Sequence, residues 1–278
     1  AEPNGNIYGP GISNANVESF IRMMIVKPGD SETIRRQTVI ALIQYGIDIY
    51  GQRAAGVEFY TDGGANLGFK LPMAFAGRML NNQSIKNILI NEPRNAFAED
   101  GMIMQPSTNK SGIPLWGQMG RGNEDDYWVH LANNNDSANT QDPYRYIDGG
   151  GDPGNTYQSC CTSAALKGSS LIVRLIPGLA AVYNDNDQLI YSDRWVSLGA
   201  WTQPDPCAPI AQGGGKNTSR PGQCKLDPDL SPGSTFLNFS CQAGKQCGRR
   251  PENHGINKDA TGWGSDLVQV ACPVFKNW

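Results

Sequence analysis

Arg121, Tyr127 and His130 fall within ten positions of one another, and together they could take a proton from carbon and return it to oxygen. The chemistry such a set suits is β-elimination on a uronic acid polymer. Removing the proton α to a carboxylate creates a dianion-like charge that Arg, Asn, Gln or His must neutralise. A Tyr or His acts as base, and one Tyr can also protonate the departing oxygen. Tyrosine ordinarily titrates near about 10, so its base form needs an adjacent cation. Arg121, six residues before Tyr127, can supply it. Arg145, flanked by Tyr144 and Tyr146, forms a second set of the same composition.

Other chemistries find less to work with. The chain holds two histidines and no GxSxG elbow, so a Ser-His-Asp triad has few options. Paired carboxylates for glycoside hydrolysis could come from Glu58, Asp62, Glu99, Asp100, Glu124, Asp125 or Asp126, but sequence gives no separation that selects a pair. The run Asp62-Gly63-Gly64-Ala65-Asn66-Leu67-Gly68 lacks both GxGxxG and GK[ST]; it reads as a tight turn, not a nucleotide cradle. No CxxC occurs and His254 alone stands near Cys241 and Cys247, so neither metal nor cofactor is expected.

Helices must position these residues. Ser31 reads as an N-cap, followed by Glu32 and by apolar residues at Ile34, Ala41, Leu42, Tyr45 and Ile49, which is helical spacing. A second helix is predicted over Leu71 to Leu80, with Pro72 in its first turn. A third runs from Thr162 to Ile176 and stops at Pro177-Gly178, and a fourth lies near Leu189 to Leu198. Residues 1–15, rich in Gly, Asn and Pro, read as an extended arm, with a short apolar segment over Val17 to Val26. Residues 91–160 read as a long aromatic loop region, the kind of segment that carries function.

Composition narrows the compartment and the partners. The 278 residues carry 23 basic and 26 acidic side chains, a net charge of −3, where a nucleic-acid-binding chain should be basic. No apolar run is long enough to span a membrane. All seven cysteines lie between Cys160 and Cys272, five of them in the Gly/Pro-rich stretch after Trp201, which points to disulfides. Asn-x-Ser/Thr patterns at Asn82, Asn109, Asn135, Asn217 and Asn238 point the same way, toward a secreted, extracellular or periplasmic glycoprotein. The start, Ala1-Glu2-Pro3, has no basic or apolar leader and reads as a processed end.

Five segments together resemble a known family. They are Gln44-Tyr45-Gly46-Ile47-Asp48, the turn from Asp62 through Lys70-Leu71-Pro72, Phe75-Ala76-Gly77, Glu99-Asp100-Gly101, and Pro114-Leu115-Trp116-Gly117. These resemble the alginate and glucuronan lyases of polysaccharide lyase family 38, where a GGHxxGRK-P-x-x-FAG pattern lines the cleft of an (α/α) toroid. The resemblance covers roughly residues 35–130. It implies a Tyr acid/base at Tyr127 with Arg121 as partner. The chain departs from the pattern at Ala65, where the family has His, and at Phe69, where it has Arg. Lys70 is retained.

The expectation is a mainly α protein. A toroid-like helical domain, complete or not, spans 1–203, and an irregular, disulfide-braced lobe spans 204–278. The expected activity is cleavage of an anionic polysaccharide, alginate- or glucuronan-like, by β-elimination. Tyr127 would be acid/base, with Arg121, His130 and Asn66 stabilising charge. Lys70, Trp116, Trp128, Arg145 and Tyr146 would bind substrate, the two tryptophans by stacking on sugar rings. A non-catalytic glycan-binding or structural protein on a degenerate lyase scaffold is the alternative, and a two-carboxylate hydrolase the third.

Overall fold

The computed structural model describes residues 9–26, 28–61, 64–93, 96–106, 113–117 and 162–198, and the backbone of 235–236 and 239–240. The described part is mainly helical. All seven cysteines lie outside it, as do Arg121, Tyr127, Trp128, His130, Arg145 and Tyr146.

Helix α1, Gly9–Met24, replaces the extended arm expected over its first seven residues. Pro10 falls in the first turn, where a missing N–H costs nothing. Gly9 is there for contact: a Cβ on it would sit 2.0 Å from the carbonyl oxygen of Gly64. Glycine content here reflects close packing against the 64–67 turn, which composition alone cannot distinguish from a loose arm.

Helix α2, Glu32–Ala54, begins where the capping signal places it, with Ser31 Oγ accepting the Ile34 N–H at 3.4 Å. Helix α3, Lys70–Met79, lies along it as the most extensive helix pair among the described residues. Gly46 makes that approach possible, since a Cβ there would lie 2.1 Å from the Pro72 carbonyl oxygen and 2.7 Å from Ala76 Cβ. Helix α4, Gln83–Asn91, is capped by Asn82, whose Oδ1 accepts the Ile85 N–H at 3.1 Å. It buries Ile85 and Leu89, one turn apart, against α3.

A single helical turn, α5, Ala98–Gly101, leads into strand β1, Ile103–Met104, which pairs antiparallel with β2, Leu115–Trp116. Helix α6, Ser163–Leu175, has eleven of its 13 residues buried. Gly178, at φ +77°, turns the chain into α7, Leu179–Tyr183. Helix α8, Asn186–Leu198, starts three residues before the expected Leu189 because Asp185 Oδ1 caps it, accepting the Gln188 N–H at 3.0 Å. Backbone strands β3, Thr235–Phe236, and β4, Phe239–Ser240, form one hairpin within the expected C-terminal lobe.

Helix α6 is sandwiched between α1 and α8, while α3 contacts α2, α4 and α7. The shared core joins Val17, Phe20 and Ile21 of α1 to Leu71, Met73 and Phe75 of α3 and to Leu171–Val173 of α6. Phe20 and Phe75 meet edge to face at 4.8 Å. No helix among the described residues is long and apolar enough to cross a membrane.

The α2–α3 seam makes a paired prediction. Gly46→Ala forces backbone apart and should lower unfolding free energy by about 1–3 kcal/mol. Gly51→Ala, five residues on, meets nothing within 4 Å and should raise it by about 0.5–1 kcal/mol through lost chain entropy. Urea unfolding of both variants checks the contrast in sign.

Candidate functional site

Three of the segments that carry the resemblance, those holding Tyr45, Gly68 to Lys70 and Glu99-Asp100, meet around one buried centre. The turn before α3 is shaped by Gly68, at φ +103°, a backbone conformation that side chains other than glycine resist. Two asparagines brace the turn: Asn16 Nδ2 donates to Gly68 O at 2.8 Å, and Asn66 Nδ2 donates to Tyr60 O at 2.7 Å.

Glu99 and Asp100 then grip Lys70 at both ends. Glu99 Oε1 accepts the backbone N–H of Gly68 at 2.8 Å and of Lys70 at 3.2 Å, which satisfies donors at the start of α3. Lys70 Nζ donates to Asp100 Oδ1 in direct contact. The same Nζ lies 4.5 Å from the centre of the Tyr183 ring. Lys70 and Glu99 are each 1% exposed, and Asp185 is 3% exposed.

A polar chain runs outward from this centre through α6 and α8. Tyr183 Oη donates to Gln188 Oε1 at 2.8 Å, and Gln188 Nε2 donates to Leu166 O at 3.2 Å and to Ser170 Oγ at 3.1 Å. Ser170 and Ser192 hydroxyls share a bond of 2.7 Å. Asp185, buried at the turn before α8, lies close enough to the Asp100 carboxyl for its charge to raise it.

Burial dominates the electrostatics. It raises the Glu99 carboxyl above the usual glutamate range, although hydrogen bonds from its own backbone, Gly68 and Lys70 and the Lys70 charge oppose the shift. Burial likewise holds Asp100 well above its usual range, with Lys70 opposing and Asp185 reinforcing. Tyr183 is pushed well up by burial, and the charges of Glu99, Asp100 and Asp185 add to it. Half-buried Tyr45 is raised by desolvation and by Glu99, partly offset by a hydrogen bond from Asn16. A tyrosine shifted upward holds its proton more tightly, so Tyr45 does not suit the role of base.

Of the nine site residues expected from sequence, three are described. Asn66 is half-buried at the turn. Lys70 is enclosed and paired with Asp100. Trp116 is 1% exposed, and its Nε1 donates to Thr162 Oγ1 at 2.9 Å. Neither Lys70 nor Trp116 presents a surface to a sugar here. The physical reason is the same for both: their polar atoms find partners only inside, and the fold encloses them to supply those partners. Glu99 and Asp100, candidates for a hydrolytic pair, are enclosed in the same centre. Sequence reading did not single out Tyr183, Asp185 or Gln188. The capping pattern Asp185-x-x-Gln188 was the available signal.

The two departures from the family pattern have structural occupations. Phe69 stacks on Phe59 at 4.5 Å with an interplanar angle of 22°, and Phe59 stacks in turn on Phe97 at 5.9 Å. The Ala65 carbonyl lies against Gly9, 2.7 Å from where a Cβ would stand. Elsewhere, a cleft of about 250 Å³ opens at the α1–α2 turn, lined by Arg22, Asp30, Ser31, Ile34, Arg35 and Thr38. Its guanidiniums already face acids, Arg22 to Asp30 at 3.1 Å and Arg35 to Glu32 at 3.9 Å.

Searches with family models, against curated proteins and against solved structures match nothing.

Glu99 gives the centre a pH signature. Its carboxyl ionises in the ordinary range when unfolded and only at higher pH when folded. Between those two values the folded chain holds more protons, so its contribution to stability is complete below the ordinary range and declines as pH rises through the folded value. Glu99→Gln cannot ionise, and it should flatten that decline. The check is the denaturant midpoint measured from acidic to mildly alkaline pH for both proteins.

Proposed function

We propose that the chain is a secreted polysaccharide lyase that cleaves a uronic-acid-containing polymer, alginate- or glucuronan-like, by β-elimination. The observation that supports this reading most is the convergence of the resemblance segments. Tyr45 faces Glu99, Gly46 packs on Pro72, Glu99 and Asp100 hold Gly68 and Lys70, and Gly117 N–H donates to Met102 O at 2.9 Å. A pattern spread over some seventy residues thus behaves as one physical unit. We take the helices to be part of an (α/α) toroid-like scaffold, with the stretch beyond 203 as a separate disulfide-braced lobe.

In this reading Tyr127 abstracts the proton α to the uronate carboxylate and returns one to the leaving oxygen. Arg121 lowers the energy of the tyrosinate, and His130 and Asn66 stabilise the charge that develops on the carboxylate. Asn66 uses one amide hydrogen on Tyr60 O and has a second for substrate. Trp128, Arg145 and Tyr146 contact the polymer. Lys70 and Trp116 brace the site from within. The extracellular setting rests on the cysteines and the glycosylation patterns; Asn82 is exposed, as an acceptor must be.

A second reading, a non-catalytic glycan-binding protein on the same scaffold, draws on Phe69 and Ala65. Both occupy positions where the family pattern carries polar groups, and both are engaged in packing.

Incubation with alginate and with glucuronan, following the ultraviolet absorbance of the unsaturated product, separates the readings. The lyase reading expects a rise with one polymer, reduced by about a hundredfold or more in Tyr127→Phe. Polymer binding with no rise would establish the non-catalytic reading instead. A rise undiminished in the variant would remove Tyr127 from the mechanism.

A further inference from the structure

The Lys70–Asp100 contact has the composition and surroundings of a self-condensing pair. A primary amine and a carboxyl touch inside the protein, Lys70 at 1% and Asp100 at 9% exposure. The Tyr183 ring closes one side of the amine at 4.5 Å. A second acid, Asp185, 3% exposed, lies close enough to raise the same Asp100 carboxyl through its charge. The three residues come from α3, α5 and the turn before α8, each fixed by its own helix or cap. Groups held in contact this way react with effective concentrations that can reach about 10⁵ M or more, and exclusion of water removes the solvent that otherwise favours the free acid and amine.

We propose that Lys70 Nζ and Asp100 Cγ condense into an intramolecular amide, an isopeptide bond that ties α3 to α5, with the Asp185 carboxyl as proton carrier. The atoms balance without any added reagent. Moving one proton across the ion pair turns ammonium and carboxylate into amine and carboxylic acid. The amine nitrogen adds to Cγ and the C=O π bond opens. Asp185 accepts a proton from nitrogen and delivers one to the departing hydroxyl, which leaves as water. One C–N bond has formed, one C–O bond has broken, and Asp185 is restored. Burial helps because it favours the protonated form of Asp100, and a protonated carboxyl is the better electrophile. Lys70 then has no charge left to present to a substrate, in keeping with its enclosure.

The link is independent of the lyase reading, and mass spectrometry of the full chain, reduced, alkylated and deglycosylated, decides it. The expected mass is one water below that of the sequence. Trypsin should fail to cut after Lys70 and should yield a branched product joining 54–78 to 95–110, the fragments bounded by Arg53, Arg78, Arg94 and Lys110. Lys70→Arg, which keeps the cation but offers no primary amine, should restore the full mass. Asp185→Asn should leave most of the chain unlinked. A wild-type chain at full mass, with 71–78 released normally, overturns the proposal, and complete linkage in Asp185→Asn overturns the role given to Asp185.

Discussion

A lysine that enters the fold as an ammonium and is enclosed at 1% exposure is the constraint on which the described structure turns. An isolated buried charge is far too costly to persist, so Lys70 must be met by an acid and by donors and acceptors that complete the local network. The dipeptide Glu99-Asp100 answers both needs at once. One residue takes the backbone N–H groups at the start of α3 and its neighbour takes the side chain. Satisfying Lys70 therefore fixes α5 against α3 to within hydrogen-bond distance, and the β1–β2 pair that follows α5 is carried into place with it.

The consequence propagates outward through polar contacts more than through apolar ones. Asp185 reaches Asp100 from the α7–α8 turn, and its other duty is to cap α8. Tyr183, beside it, roofs the lysine and passes a hydrogen bond to Gln188, which reaches α6. Helix α6 in turn carries serines that pair across to α1 and α8, as Ser169 does with Ser13 and Ser170 with Ser192. An interior built this way is specific in register, because shifting any helix by one residue leaves a buried donor or acceptor unmatched. It is also protonation-sensitive, since burial raises the Glu99 carboxyl at its centre.

The aromatic and glycine positions show how family-like motifs serve packing. Phe59, Phe69 and Phe97 form a stacked column that joins the end of the α2–α3 connection to the residue before α5, and Arg53 lies over Phe97 while pairing with Glu92. Gly9, Gly46 and Gly68 each mark a backbone approach that a methyl group would block. Of these, Gly46, Gly68 and Phe69 fall in segments that resemble a cleft-lining pattern when read along the chain. In space they are the joints that let α1, α2 and α3 close on one turn.

The sequence by itself determined the local elements wherever the determinant is local. Ser31 as N-cap, Pro177-Gly178 as stop and the apolar spacing of Ile34 to Ile49 depend on residues within a few turns, and the helices stand where those signals put them. It also marked Lys70, Glu99 and Asp100 as residues worth watching. It could not join them, because a contact across thirty or eighty-five positions has no periodicity to betray it. Gly9 read as part of an arm because composition does not say what a glycine touches, and Lys70 and Trp116 read as surface groups because nothing local to them says they are enclosed. Only the tertiary structure decided those points: whether a charge meets water or another charge is settled by which distant segment the fold lays against it.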